Sequence, residues 1–255
     1  MIDNKYNISD FTDKNYKNIL QKIKNRYNFI FYNDIKSYTA DKEYLLWRHD
    51  VDFSVHRAYE LAKIENELGI KSTYFLQFSS EMYNLYELEI RELVFKIIGL
   101  GHEIALHFYP ILHNIKTKKE LKEYLLFEKN TLERLFDIKV NVFSFHNPTV
   151  EIMKFDNFKY AGMINTYAKH FQKNVAYCSD SNGYWRHERL EEFLLKGDVA
   201  NRQVLTHPVW WQKEAMNPYD RVKRCINGRA KKRIEMYKTN MKKLKRFFLY
   251  PKRKK

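Results

Sequence analysis

The sequence predicts an α/β domain: a mostly parallel sheet with helical cover, arranged as a barrel or as an open doubly wound sheet. Three observations predict it. Short apolar, β-rich runs alternate with stretches of helical period at intervals that suit parallel crossovers. The composition combines 44% apolar residues, 19 Tyr and 18 Phe with only 7 Gly and 5 Pro in 255 residues, which suits regular elements joined by short loops around one substantial core. Asp and His also recur at the carboxyl ends of the apolar runs, where α/β folds collect reacting groups.

Residues 1–43 are expected to form a helical cover, because Tyr16, Ile19, Leu20, Ile23 and Tyr27 keep helical spacing. Residues 44–215 carry the alternation. Tyr44, Leu45, Leu46 and Trp47 read as a buried strand that stops at the polar RHDVD, so Asp50 and Asp52 are expected on a strand-to-helix loop. Ser54 caps the helix marked by Ala58, Leu61, Ala62 and Leu68, which ends at Gly69. Residues 72–78 (STYFLQF) are β-rich. Ile90, Leu93, Val94, Ile97 and Ile98 mark a helix ended by Gly99 and Gly101, and residues 102–107 (HEIALH) follow as a strand. Thr117 and Glu120 have the form of a capping box opening a helix through Leu121, Leu125, Leu132 and Leu135. Strands are expected at 140–145, 175–178 and around Val204 and Leu205, with a short helix at 189–195 between the last two.

Residues 216–255 read as a basic amphipathic helix and tail. Val222, Ile226, Ala230, Ile234, Tyr237, Met241, Leu244 and Phe248 recur about once per turn, and 13 Lys and Arg stand against Glu235 from Arg229 onward. Most of the formal charge of +15 therefore sits in the tail. A basic groove through the body is not expected, nor is nucleic acid as a partner. The 229–255 tail suits an anionic membrane surface, with packing on the domain up to about Arg233. Cys178 and Cys225 resemble neither a zinc ribbon nor a disulfide framework. With no signal-like segment or membrane span in the sequence, a cytoplasmic protein is expected, peripheral on the inner membrane face if the tail engages lipid.

Asp50, Asp52, His107, His146, Asp180 and His207 all fall at or just past the end of an apolar run. Any one of them reads equally as a solvated turn residue. Gathered on one face, they suit a metal or acid/base site.

These residues resemble the NodB-homology polysaccharide deacetylase family over roughly residues 44–211. The resemblance implies a distorted (β/α) barrel with the basic helix appended. It implies that Asp50 is the catalytic base and that Asp52 and His107, the latter in GHEIALHFYPILH, are metal ligands. Where the family has a second histidine four residues after the first, this chain has Ile111, and His146 is taken as the third ligand, with His113 as the alternative. Where the family has an arginine that orients the base, this chain has Ser144 in FSFHNPT, which leaves Arg48 or Arg186 as the partner of Asp50. Asp180 and Trp185 in SDSNGYWR resemble the fourth motif, and His207 in LTHP resembles the last, where the histidine is general acid. His49 is expected as a second-layer neighbour, and Trp210 as a pocket wall.

The implied cofactor is one divalent ion, zinc first, with cobalt or nickel as alternatives. The implied substrate is an N-acetylated or N-formylated amino sugar, as a lipid- or nucleotide-linked intermediate of surface-glycan synthesis. The rival reading is a catalytically inactive glycan- or membrane-binding protein on the same fold, because Ile111 and Ser144 break two family positions.

Overall fold

In the computed structural model of the chain, residues 7–38, 43–185, 187–197 and 201–247 are described. In chain order the elements are α1 (Asp13–Ile23), β1 (Asn28–Phe29), β2 (Tyr44–Val51), α2 (Val55–Glu67), β3 (Thr73–Leu76), α3 (Leu88–Gly99), β4 (Glu103–Phe108), α4 (Lys118–Phe136), β5 (Val142–Phe145), β6 (Lys159–Tyr160), β7 (Met163–Asn165), α5 (Lys169–Asn174), β8 (Ala176–Ser179), α6 (Leu190–Leu195), β9 (Arg202–Thr206) and α7 (Pro218–Lys243). The strands form one sheet in the order β6-β7-β5-β4-β3-β2-β9-β8, and β1 pairs with the start of β2. All pairings are parallel except β6 with β7.

Alternation along β2 separates two cores. Tyr44 and Leu46 point to an inner cluster with Phe75, Ala105, Val142 and Phe171 of α5. Leu45 and Trp47 point outward to α1, α2 and α6 through Tyr16, Leu20, Leu61 and Leu194. A third cluster packs α2, α3 and α4 against the outer side of β3, β4 and β5 through Val94, Ile97, Leu125, Leu132, Leu106 and Phe143. Apolar residues on both sides of a parallel sheet are what helical cover outside and a filled interior require. Among the described strands none joins β8 to the β6–β7 hairpin, so the expected distorted barrel is open along that seam.

Local signals account for the helix starts. Ser54 accepts from the Arg57 N–H at α2, and Thr117 and Glu120 form the reciprocal capping box at α4.

β2 differs from expectation. It continues for eight residues to Val51, buried on both faces, where the apolar run stops at Trp47. Asp50 therefore lies within the strand, and Asp52 lies just beyond it. The polar stretch stays in the sheet because its side chains find buried partners: Arg48 pairs with Asp50 at 2.8 Å and His49 with Glu65 at 2.6 Å.

At the other end of the chain, α7 runs for 26 residues, and Ile226, Ile234, Tyr237 and Leu244 of its stripe are each about half exposed. Phe248 lies outside the described residues. No helix among the described residues is long and apolar enough to cross a membrane.

Candidate active site

The site is built at the carboxyl ends of β2, β4, β5 and β9. Residues of equal parity on a strand share a face, so Arg48 and Asp50 point inward with Leu46, and Asp52 follows them past the strand end. Across β3, strand β4 brings His107 inward, and β5 brings Ser144 beside it, since His107 and Ser144 are register partners. His146 follows β5, its backbone N–H fixed on the Phe108 carbonyl at 2.7 Å.

Three donor atoms meet there. His107 Nε2 lies 3.0 Å from Asp52 Oδ1, His146 Nδ1 lies 3.3 Å from the same oxygen, and the two nitrogens are 3.1 Å apart. Ligands held about 2.0–2.2 Å from a tetrahedral zinc ion are separated by roughly 3.3–3.6 Å, so this triangle approximates one face of such a polyhedron. Asp52 Oδ1 is buried and makes no hydrogen bond of acceptable geometry, although two imidazoles face it. One carboxylate and two imidazoles are a donor set for a borderline divalent cation, and the residues present therefore fit a metal ion. Burial alone would push the Asp52 carboxyl up, but His107 and His146 hold it far below the ordinary carboxylate range.

The neighbours orient these groups. The Ser144 hydroxyl lies 2.7 Å from His107 Nδ1 and 3.5 Å from Asp50 Oδ1, which leaves His107 Nε2 for the triangle. The Asn147 amide lies 3.0 Å from His146 Nε2, and Tyr109 meets the His146 ring edge-on at 4.7 Å. Arg48 donates to Asp50 with both side chains buried, so the arginine partner comes from β2 itself. Arg186 lies outside the described residues.

On the opposite side, His207 Nδ1 lies 2.6 Å from Asp180, whose carboxylate also accepts the His207 backbone N–H at 2.9 Å. His207 Nε2 is thereby turned toward the triangle, 3.7 Å from Asp52 Oδ2. Burial would lower the imidazole pKa, but the Asp180 carboxylate overrides it and raises it to about 9.

The structure thus brings together Asp50, Asp52, His107, His146, Asp180, His207 and Arg48. It leaves three expected residues elsewhere. His49 has the opposite parity and points to the outer face, bonding Glu65 and lying 3.3 Å from the Tyr16 hydroxyl. Trp185 is a core residue, stacked on Phe11 at 5.0 Å and tilted against Trp211. His113 bonds Glu128 at 2.8 Å and stacks between Phe108 and Tyr124, so it is His146 that joins the triangle. Ile111 sits on an exposed turn at Pro110–His113, where the chain leaves β4 and faces solvent.

Trp210 lines the cleft above the triangle and is also a buried member of the outer core. The cleft holds about 270 Å³ and also takes in Phe53, Gln77, Met82, Tyr109 and Asn182. Sequence reasoning missed Ser144, Tyr109 and Asn147 as parts of the site. The available signal was position, since Ser144 is two residues before His146 and Tyr109 two after His107.

No protein-family model matches the chain, and no curated protein sequence matches it. Solved structures do. The chain is similar to a CE4 family pseudoenzyme from Bacillus anthracis, with 16% identity, 76% of this chain and 63% of that chain covered, and a TM-score of 0.42. It is similar to the peptidoglycan deacetylase PdaC from Bacillus subtilis, with 11% identity, 80% and 96% covered, and a TM-score of 0.42. It is also similar to the chitin deacetylase of the fungal pathogen Colletotrichum lindemuthianum, with 12% identity, 72% and 81% covered, and a TM-score of 0.41. The chain spans less than two thirds of the pseudoenzyme's length.

Proposed function

We propose that this chain is a metal-dependent hydrolase that removes an N-acyl group, acetyl or formyl, from an amino sugar during surface-glycan assembly. The observation that carries the reading is the Asp52, His107 and His146 triangle with an arginine-paired carboxylate on one side and an aspartate-paired imidazole on the other. The motif resemblance to NodB-type deacetylases supports an acylated sugar as the substrate.

Asp52, His107 and His146 would hold a divalent ion, zinc by the donor set, with cobalt or nickel able to replace it. Such an ion supplies Lewis acidity, polarising an acyl carbonyl and easing deprotonation of water. Asp50, fixed by Arg48 and Ser144, takes the proton of the attacking water. His207, kept as a cation by Asp180, gives a proton to the departing amine. An acid and a base of this kind each contribute on the order of 10²- to 10⁴-fold in rate. Trp210 and Tyr109 wall the cleft and limit water around the acyl group. A lipid- or nucleotide-linked substrate and a membrane-facing α7 complete the reading.

Elemental analysis tests it. One divalent ion per chain is expected, lost in His146→Ala and retained in Asp50→Asn, while Asp50→Asn loses at least about 100-fold in hydrolysis of N-acyl amino sugars. Metal retained by His146→Ala would overturn the ligand set. No metal after reconstitution with zinc, cobalt and nickel would turn the reading to a binding protein.

A further inference from the structure

The connection from β3 to α3 serves the cleft and also faces solvent. Gln77, Ser80, Glu81 and Met82 line the active-site cleft. Farther along, Tyr86 is 60% exposed, and Leu88, the first residue of α3, is 72% exposed. Phe78 of the same connection joins them to a third exposed side chain: its ring centroid lies 6.5 Å from that of Tyr86 and 6.2 Å from that of Phe127 on α4, which is 59% exposed. Single apolar residues on a surface are ordinary, but a group of them in contact beside a cleft marks an interaction surface.

This patch is tied to the basic helix. Glu87, between Tyr86 and Leu88, is paired with Arg229 at 2.7 Å and with Arg233, and Glu89 is paired with Lys232. These pairs hold the start of α3 against the second half of α7. There Ile234, Met236 and Tyr237 are each about half exposed. From Met236 to Phe247 the chain adds Lys238, Lys242, Lys243, Lys245 and Arg246 and no carboxylate.

Charge and apolarity together select the partner. Exposed rings and aliphatic side chains beside an excess of cations suit a surface that is anionic outside and apolar beneath, which describes an anionic bilayer. A nucleic acid would answer the charge and the rings, but it offers nothing to Leu88, Ile234 or Met236. One helix lying on a bilayer can roll about its axis. A second contact, held to it by ion pairs, removes that freedom.

We propose that Tyr86, Leu88 and Phe127 form a second membrane contact beside α7, which seats the mouth of the cleft against an anionic bilayer. The inference rests on the membrane-facing α7 proposed above and adds the surface that orients the body. The connection that meets the headgroups is the one that walls the cleft, so a lipid-linked sugar reaches the site without leaving the interface.

A polarity-sensitive fluorophore reads the contact in the full chain. It is attached at Leu88→Cys or at Glu67→Cys, the latter at the end of α2 away from the cleft, in a Cys225→Ala background where the buried Cys178 stays unlabelled. On phosphatidylglycerol vesicles the Leu88→Cys label is expected to shift to the blue and to be quenched by nitroxide-labelled acyl chains. The Glu67→Cys label is expected to stay unchanged. Tyr86→Ser combined with Leu88→Ser, both at exposed positions, is expected to raise the vesicle Kd at least about tenfold. Vesicle binding with a silent Leu88→Cys label overturns the proposal and leaves the α7 contact standing, whereas no binding at all overturns both. A blue shift at both positions, or equal affinity for neutral phosphatidylcholine, also overturns it. So does a Leu88→Cys label that answers to a single-stranded oligonucleotide and not to vesicles. Metal content measured on the same samples decides the hydrolase reading independently.

Discussion

Ser144 stands where the family resemblance leads one to expect an arginine, and its hydroxyl touches both Asp50 and His107. Removing it leaves the strand intact but frees the His107 ring to turn. Ser144→Ala is therefore expected to keep the fold and to weaken metal affinity about 10- to 100-fold, the usual cost of losing such a support. Competition with a coloured chelator measures it, and unchanged affinity would deny Ser144 that role. At this scale the sequence was informative where residues end apolar runs, as Asp52, His107 and His207 do. It misplaced His49, expected beside the acids, because the strand was read as ending at Trp47 and so its alternation of faces was not carried on to His49 and Asp50. It was silent about Ser144, because a small hydroxyl inside an apolar strand has the same appearance whether it fills space or orients a ligand. His146 was preferred to His113 as the inward histidine, and His113 instead bonds Glu128 where the chain leaves β4.

At the scale of elements, caps and periods were legible and polar strands were not. The Thr117 and Glu120 box marked α4, whereas the second half of β2 reads as loop because its stabilising partners, Glu65 among them, are distant in sequence. The β6–β7 hairpin escaped for a different reason: its two-residue turn, Ala161 and Gly162 at φ +48° and +79°, lacks the usual Asn-Gly signature. The helix α7 was legible from its period, and Ile226, Ile234 and Leu244 on it are each about half exposed. The full chain is expected to float with anionic vesicles at low salt, to release as salt rises, and to float several-fold less as Ile234→Glu. Absence of flotation, or flotation indifferent to lipid charge, would count against a membrane-facing α7.

For the whole molecule, Glu65 is a tie between layers. It accepts hydrogen bonds from Tyr16 of α1, from Ser72 at 2.5 Å and from Tyr74 of β3 at 2.6 Å, and it pairs with His49 of β2. Burial would raise its pKa, but His49 and its other partners lower it to about 2 from an ordinary 4.5. A carboxyl whose folded pKa is depressed contributes stability above its unfolded value and loses it as pH falls toward the folded value. The melting temperature should therefore drop between about pH 4.5 and pH 2. Glu65→Gln should be less stable by roughly 3 kcal/mol at neutral pH and flatter across that window. A parent melting curve that is level there would reject the assignment.

β2 joins these scales, since it pairs with β1, β3 and β9 and places Arg48 and Asp50 on one face and His49 on the other. A chain threaded one residue out of step would exchange those faces. Leu45, Leu46 and Trp47 would tolerate the exchange, being apolar on either side. The polar residues would not: Arg48, Asp50, His49 and Glu65 would lose their partners together, at about 3–5 kcal/mol for each broken pair. That loss is comparable with the roughly 5–15 kcal/mol by which a domain is stable at all. The buried polar pairs of β2 therefore also police the assembly of the sheet, and a shifted strand is rejected before it can bury its mistake.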